Sequence, residues 1–237
     1  PRTRPRARST INRDMTALRA ALNRAHDVGL VTSDLAWKEA LKPLDNANGR
    51  RNVYINSKQR TALVAAIPSA DIAAFVRAMT LLPLRPGALA ALTVENFDAR
   101  RGALRVSLDK VGSGREFQLP TETANFLKKQ SKGKSPGTPL FARADGKAWN
   151  KDAWKGPVKD AVAAANRAAE VAHDESSALP TNVTAYTLRH SVITDLVDAD
   201  VNALTIAFLS GTSVAMIEKH YFQPGNRTAS ALQHLVL

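Results

Sequence analysis

One stretch of this chain has apolar residues spaced by two. Leu104, Val106 and Leu108 alternate with other residues, Gly112-Ser113-Gly114 supplies a turn, and Phe117 and Leu119 resume the alternation. Successive strand side chains point to opposite faces, so the pattern predicts a hairpin with one apolar face. Elsewhere the spacing is helical. Ile11, Met15, Leu18, Leu22 and Ala25 recur at four and three residues, with Arg13, Arg19 and Arg24 off the stripe and Gly29 as a stop. A shorter helix is expected from Ser33 as N-cap through Leu41, closed by Pro43. Ser57 is expected to cap another, and Ser69 to begin one that runs through Phe75, Met79 and Leu82. Pro86 suits the first position of the next helix, which puts Arg85 in the bend before a helix N-terminus, where anions are held. Helices are also expected at Glu122–Gln130 and over the alanine-rich Asp152–Val171. After the break at Phe222-Gln223-Pro224-Gly225-Asn226, a last short helix is expected over Ala229–Leu237. The fold class that follows is mainly α with a small antiparallel β-sheet.

Asp45-Asn46-Ala47-Asn48-Gly49-Arg50-Arg51 is polar and rich in turn formers. It divides the chain into a first segment at 1–44, a linker at 45–52 and a larger domain at 53–237. The first residues alternate Arg2, Arg4, Arg6 and Arg8 with Pro, Thr and Ala, and read as a basic arm for phosphates or a solvated tail. The chain opens without a methionine and is expected to be a fragment of a longer protein.

A net charge of +12 and a pI near 10.3 suit a polyanionic partner, though charge alone is equally compatible with a generic basic protein. Arg50 and Arg51, and the cluster Lys128, Lys129, Lys132 and Lys134 between elements, are candidate phosphate contacts or solvated cations. The absence of cysteine excludes disulfide, iron–sulfur and thiol chemistry. The five histidines are scattered without metal-ligand spacing, so no metal is expected, and without a Walker loop no nucleotide is expected. No apolar run approaches the ~18 residues that cross a bilayer, and a cytoplasmic, nucleoid-associated protein is the simplest expectation. Trp149 and Trp154 read as core residues.

Tyr221, in Glu218-Lys219-His220-Tyr221-Phe222, follows Arg189 by 32 positions, and Arg189 follows Arg85 by 104. Two arginines ahead of a late tyrosine suggest attack of a phenolic oxygen on a DNA phosphate. Guanidiniums are planar, always protonated donors for the charge that spreads over phosphate oxygens in the transition state. A tyrosine nucleophile can then form a covalent phosphoprotein without a metal. Taken singly, Tyr221 also reads as a half-buried tyrosine at a helix end.

The local words around these residues carry a resemblance. Leu82-Pro83-Leu84-Arg85-Pro86-Gly87-Ala88-Leu89-Ala90-Ala91-Leu92 resembles the first arginine box of the tyrosine recombinase, or phage integrase, family. Thr187-Leu188-Arg189-His190-Ser191 resembles the second box, and Thr212-Ser213-Val214-Ala215-Met216-Ile217-Glu218-Lys219-His220-Tyr221 the nucleophile segment. Leu108-Asp109-Lys110-Val111-Gly112-Ser113-Gly114-Arg115 looks like the family's hairpin lysine. The resemblance runs from about Thr10 to Tyr221. It implies a catalytic domain over 53–237, preceded by part of a helical core-binding domain. It also implies double-stranded DNA as partner, a homotetramer on DNA with a monomer possible in its absence, and no cofactor. Tyr221 would form a 3′-phosphotyrosine, Arg85 and Arg189 would clamp the phosphate, and Lys110 would protonate the leaving 5′-oxygen. A prophage or related mobile element is the implied source.

Three positions depart from the family pattern. Tyr186 stands where a histidine or lysine opens the second box, Gly211 where a histidine or tryptophan precedes the nucleophile, and Ala88 where the first box carries an acid. Tyr186 can still donate a hydrogen bond. Thr212, Ser213 and His220 are alternative donors, with packing or capping roles ranked ahead. His190 reads as a brace, and Asp195 and Asp198 as solvated or interface residues. These departures keep a rival open, a degenerate relative that binds DNA as a regulator or architectural protein. A type IB topoisomerase shares the chemistry but fits the boxes less well.

Overall fold

The computed structural model describes residues 5–45, 47, 53–107 and 114–221. Lys110 and the expected hairpin turn, the linker arginines Arg50 and Arg51, and the expected last helix over Ala229–Leu237 lie outside the described residues. The chain divides into two compact units, Pro1–Arg51 and Asn52–Leu237.

In the first unit α1 spans Arg8–Asp27 and stops where the sequence predicts. Gly29 turns left-handed at φ 74°, and the Leu30 N–H returns to the Ala25 carbonyl at 2.9 Å. Polar side chains tie α1 to the segment that follows. Trp37 is buried and donates its indole N–H to Asn23 at 2.8 Å, Arg19 donates to the Leu41 carbonyl at 2.9 Å, and Asn12 bonds both backbone groups of Leu44. The second helix, α2, covers Leu35–Lys38 alone, with Asp34 and not Ser33 as N-cap. Beyond it the Leu41 N–H still reaches Trp37, four residues back, at 2.8 Å, and the Lys42 N–H then bonds Glu39, three back, at 3.1 Å as the chain nears Pro43. A residue before proline is pushed out of the α region.

The second unit begins with α3 (Ser57–Ala65), capped by Asn56 and not by Ser57. Asn56 holds the extended backbone that a cap requires, and it exchanges 2.9 Å hydrogen bonds with Gln59 in a capping box. Next, α4 (Ala70–Leu81) follows Ser69 as predicted and runs through the main core. Phe75, fully buried, has the Trp149 ring stacked at 5.7 Å and the Trp154 ring at 5.5 Å, so both tryptophans are core residues. A bend at Leu82–Arg85 leads into α5 (Pro86–Ala90).

The sheet has three strands, β1 (Phe97–Asp98), β2 (Ala103–Val106) and β3 (Arg115–Gln118), antiparallel in the order β1-β2-β3. Leu104 pairs with Phe117 and Val106 with Arg115. Only β1 was not expected, because two residues cannot display an alternation. After it come α6 (Thr121–Ser131) and α7 (Lys151–Val171), each one residue longer at both or one end than the periodicity predicts. Ala161, Ala165 and Ala169 recur every four residues on the buried face of α7, small enough for close packing against α3, α4 and α8. The chain then forms α8 (Ala185–Asp198), α9 (Ala203–Ser210) and α10 (Val214–Tyr221). Ile193, Val197, Ile206, Ala207 and Ile217 form a second, smaller core among these three helices, with Tyr221 packed against it.

Candidate active site

Arg85 is the N-cap residue of α5, with extended backbone at φ −62° and ψ 138°, and Pro86 occupies the first helical position. That is the placement the sequence predicts. A five-residue helix has little dipole to offer, so the cation itself is the feature that matters there.

Arg189 lies on α8 and is 8 % exposed. Burying a guanidinium is costly unless hydrogen bonds satisfy it. Its Nη1 donates to the Pro83 carbonyl at 2.6 Å and to the Ser210 carbonyl at 2.8 Å. Pro83 lies two residues before Arg85, so this bond, between residues 106 apart in sequence, joins the two boxes. With α5 packed against α8, the elements that carry the two arginines are neighbours.

Tyr221 ends α10. Burial raises its pKa above 10.0, while the positive charge of Arg189 acts the other way. The phenol therefore sits within the field of the second-box arginine. The His190 ring lies 4.8 Å from the Tyr221 ring, centre to centre, with the planes tilted by 35°. His190 therefore packs against the tyrosine ring. Tyr186 is exposed on the first turn of α8, one turn before Arg189, and His220 is half-buried beside Tyr221.

Gly211 caps α9 in the left-handed region, φ 66° and ψ 48°. Its N–H donates to Ala207 at 2.9 Å and the Thr212 N–H folds back to the same carbonyl at 3.1 Å. The Gly211 backbone N–H, the one donor a glycine could offer a phosphate, is therefore spent on the cap. Ser213 is likewise a capping residue, accepting the Met216 N–H on its hydroxyl at 3.3 Å. Ala88 is half-buried within α5.

The lysine cluster is not confined to a loop. Lys128 and Lys129 are exposed on the last turn of α6, and Lys132 is exposed just after it. Lys134 turns inward, donating to the Leu140 carbonyl at 2.8 Å, and burial lowers its pKa. Asp195 is not a solvated acid. It accepts the Tyr54 hydroxyl at 2.8 Å and an ion-paired hydrogen bond from Arg60, whose side chain is only 11 % exposed. Nearby, Ser191 accepts the Ile55 N–H at 3.0 Å and donates to Thr187. Together these bonds fasten the start of the second unit to α8. The sequence reading missed Pro83 and Ser210 as partners of Arg189. The glycine directly after an apolar helical run was the available signal for a carbonyl-rich helix end. It also missed Arg115, buried on β3 opposite Val106.

Among the described residues no cluster of three or more His, Asp or Glu side chains could hold a metal ion, and no helix is long and apolar enough to cross a membrane.

This mostly helical unit with a three-stranded antiparallel sheet has the tyrosine recombinase catalytic-domain fold. The chain belongs to the phage integrase family, whose profile matches residues 54–226. A comparison with curated proteins found no significant match. Solved structures are similar in fold. The Tn1549 transposon integrase in complex with transposon right end DNA matches with a TM-score of 0.74 at 20% identity, over 94% of this chain and 78% of that one. The XerA recombinase matches with a TM-score of 0.58 at 17% identity, over 83% of this chain and 68% of that one. The catalytic domain of bacteriophage HP1 integrase matches with a TM-score of 0.53 at 17% identity, over 76% of this chain and 93% of that one.

Proposed function

We propose that this chain is a site-specific DNA recombinase of a prophage or related mobile element, acting through a 3′-phosphotyrosine. Tyr221 Oη gives up its proton to solvent and attacks the scissile phosphorus as the bond to the 5′-oxygen breaks; the leaving oxygen takes a proton from Lys110, which regains one from solvent. A 5′-hydroxyl of a partner strand then attacks the phosphotyrosine, so the phosphodiester is rebuilt without nucleotide fuel. Arg85 and Arg189 stabilise the charge on the non-bridging oxygens. Lys128, Lys129 and Lys132, with Arg50 and Arg51, track the DNA backbone. Residues 1–44 act as part of a core-binding domain, 45–52 as linker and 53–237 as the catalytic domain, which works as a homotetramer on DNA and a monomer without it.

The observation that carries this reading is the Arg189 arrangement. One guanidinium is tied to the bend that bears Arg85 and exerts its charge on the Tyr221 phenol. The rival reading, a regulator that binds DNA without cutting it, draws on the Gly211 N–H being consumed by a helix cap. A covalent-trapping experiment separates them. A preferred site is selected from a random duplex pool, then supplied with a nick that lets the released 5′ fragment escape. An adduct that disappears in Tyr221→Phe, and falls by on the order of 10²–10³ in rate in Arg189→Ala, supports the recombinase. Tight site-specific binding with no adduct assigns the chain to the regulator. Relaxation of supercoiled DNA without any preferred site assigns it to topoisomerase chemistry.

A further inference from the structure

Resting on the recombinase reading, we propose that the left-handed end of α9, Ser210-Gly211, is the positioning device for Arg189. Arg189 Nη1 is gripped by two main-chain carbonyls, Pro83 at 2.6 Å and Ser210 at 2.8 Å. A carbonyl in the last turn of a helix has no helical N–H ahead of it to accept, so it is available to a cation. Ser210 is fully buried and its hydroxyl is returned to the Ile206 carbonyl at 2.6 Å, which leaves the carbonyl as the group that acts on Arg189. What aims that carbonyl is Gly211. At φ 66° it reverses the chain, and its own N–H and that of Thr212 close on Ala207. A Cβ at Gly211 would be disfavoured by this backbone whatever space surrounds it, so most side chains there would turn the Ser210 peptide. The two carbonyls come from the bend before Arg85 and from the helix before the Tyr221 helix. One nitrogen therefore registers the guanidinium against both the other arginine and the nucleophile. A rigid supporting shell of this kind sets catalytic geometry, because a small displacement of a charge-stabilising group costs rate far more than affinity.

The test compares adduct formation at saturating DNA for the unaltered chain, Gly211→Ala and Gly211→Asn, and adds chemical rescue of Arg189→Ala by methylguanidinium. Gly211→Ala is expected to slow adduct formation by on the order of 10²-fold at unchanged DNA affinity. Gly211→Asn, whose side chain tolerates left-handed backbone, is expected to recover most of that loss. Methylguanidinium is expected to restore Arg189→Ala saturably, because the carbonyl cradle belongs to the backbone. Adding Gly211→Ala should raise the half-saturating concentration by about tenfold, the loss of one charge-assisted hydrogen bond. A stability defect alone would lower the amount of active protein and leave that concentration where it was. An unchanged rate in Gly211→Ala, an unchanged half-saturating concentration, or no saturable rescue of Arg189→Ala each overturns the proposal. The last holds whether or not Gly211→Ala folds. Absence of adduct from the unaltered chain overturns the recombinase reading along with it.

Discussion

Tyr221 meets two opposed influences. Burial among α8, α9 and α10 holds its phenol above the ordinary 10.0, and Arg189 partly offsets that rise. Arg189→Gln is therefore expected to push the Tyr221 phenol higher still. Ultraviolet titration measures this as the difference between chains with and without Tyr221→Phe. Tyr54 is raised as well, by burial first and then by Asp195. The sign for stability follows from linkage. A phenol whose folded value lies above its unfolded value binds its proton more tightly in the folded chain, so its stabilisation is complete below about pH 10. It is lost as the pH climbs through the raised values. Alkaline unfolding should accordingly begin at higher pH in Tyr54→Phe with Tyr221→Phe than in the parent. A parent that unfolds no earlier would contradict the placement of both rings. At this scale the sequence was informative about identities and poor about partners. Arg85, Arg189 and Tyr221 were visible because each sits in a distinctive word. Lys134 was not recognised as a structural residue because its partner is a carbonyl, which carries no side-chain signature.

Among the elements, α8 gathers several polar attachments. Tyr54 and Arg60 converge on Asp195, and Ile55 on Ser191, so the start of the second unit is bolted to the helix that bears Arg189. Asp195→Ala would leave the Arg60 guanidinium mostly buried without its carboxylate. A loss of about 2–3 kcal/mol is expected, discounted from a fully buried pair because Asp195 is partly exposed. Denaturant unfolding measures it, and a change within a few tenths of a kcal/mol would show the pair to be solvated after all. Helices α1, α4 and α7 were legible in the sequence because their apolar positions repeat over several turns. The caps were misplaced by one residue at α2 and α3, where adjacent polar residues offer equivalent side chains and only the backbone angle decides. Strand β1 was invisible because its pairing with β2, not its own pattern, defines it.

For the molecule as a whole, the net charge of +12 makes DNA binding a counterion-release problem. Replacing the exposed Lys128, Lys129 and Lys132 by alanine is expected to flatten the slope of log affinity against log salt by about 2–3 if each meets a phosphate. Lys134→Ala should barely move that slope and should instead cost about 1 kcal/mol of stability, since its ammonium serves the Leu140 carbonyl. An equal slope for the triple variant and for Lys134→Ala would remove this patch from the DNA interface. Taken by itself, the sequence determined the periodicities, the charge and the spaced arginine and tyrosine words, and so the family and the mainly helical class. These are local or compositional properties, written in neighbouring residues. Only the tertiary structure decided what closes the gap between Pro83, Arg189 and Ser210, and that Gly211 forms a left-handed helix cap. It also decided which acids and lysines serve the fold. Those outcomes depend on main-chain carbonyls and on burial, which every residue possesses in sequence and which acquire direction only once the helices have packed.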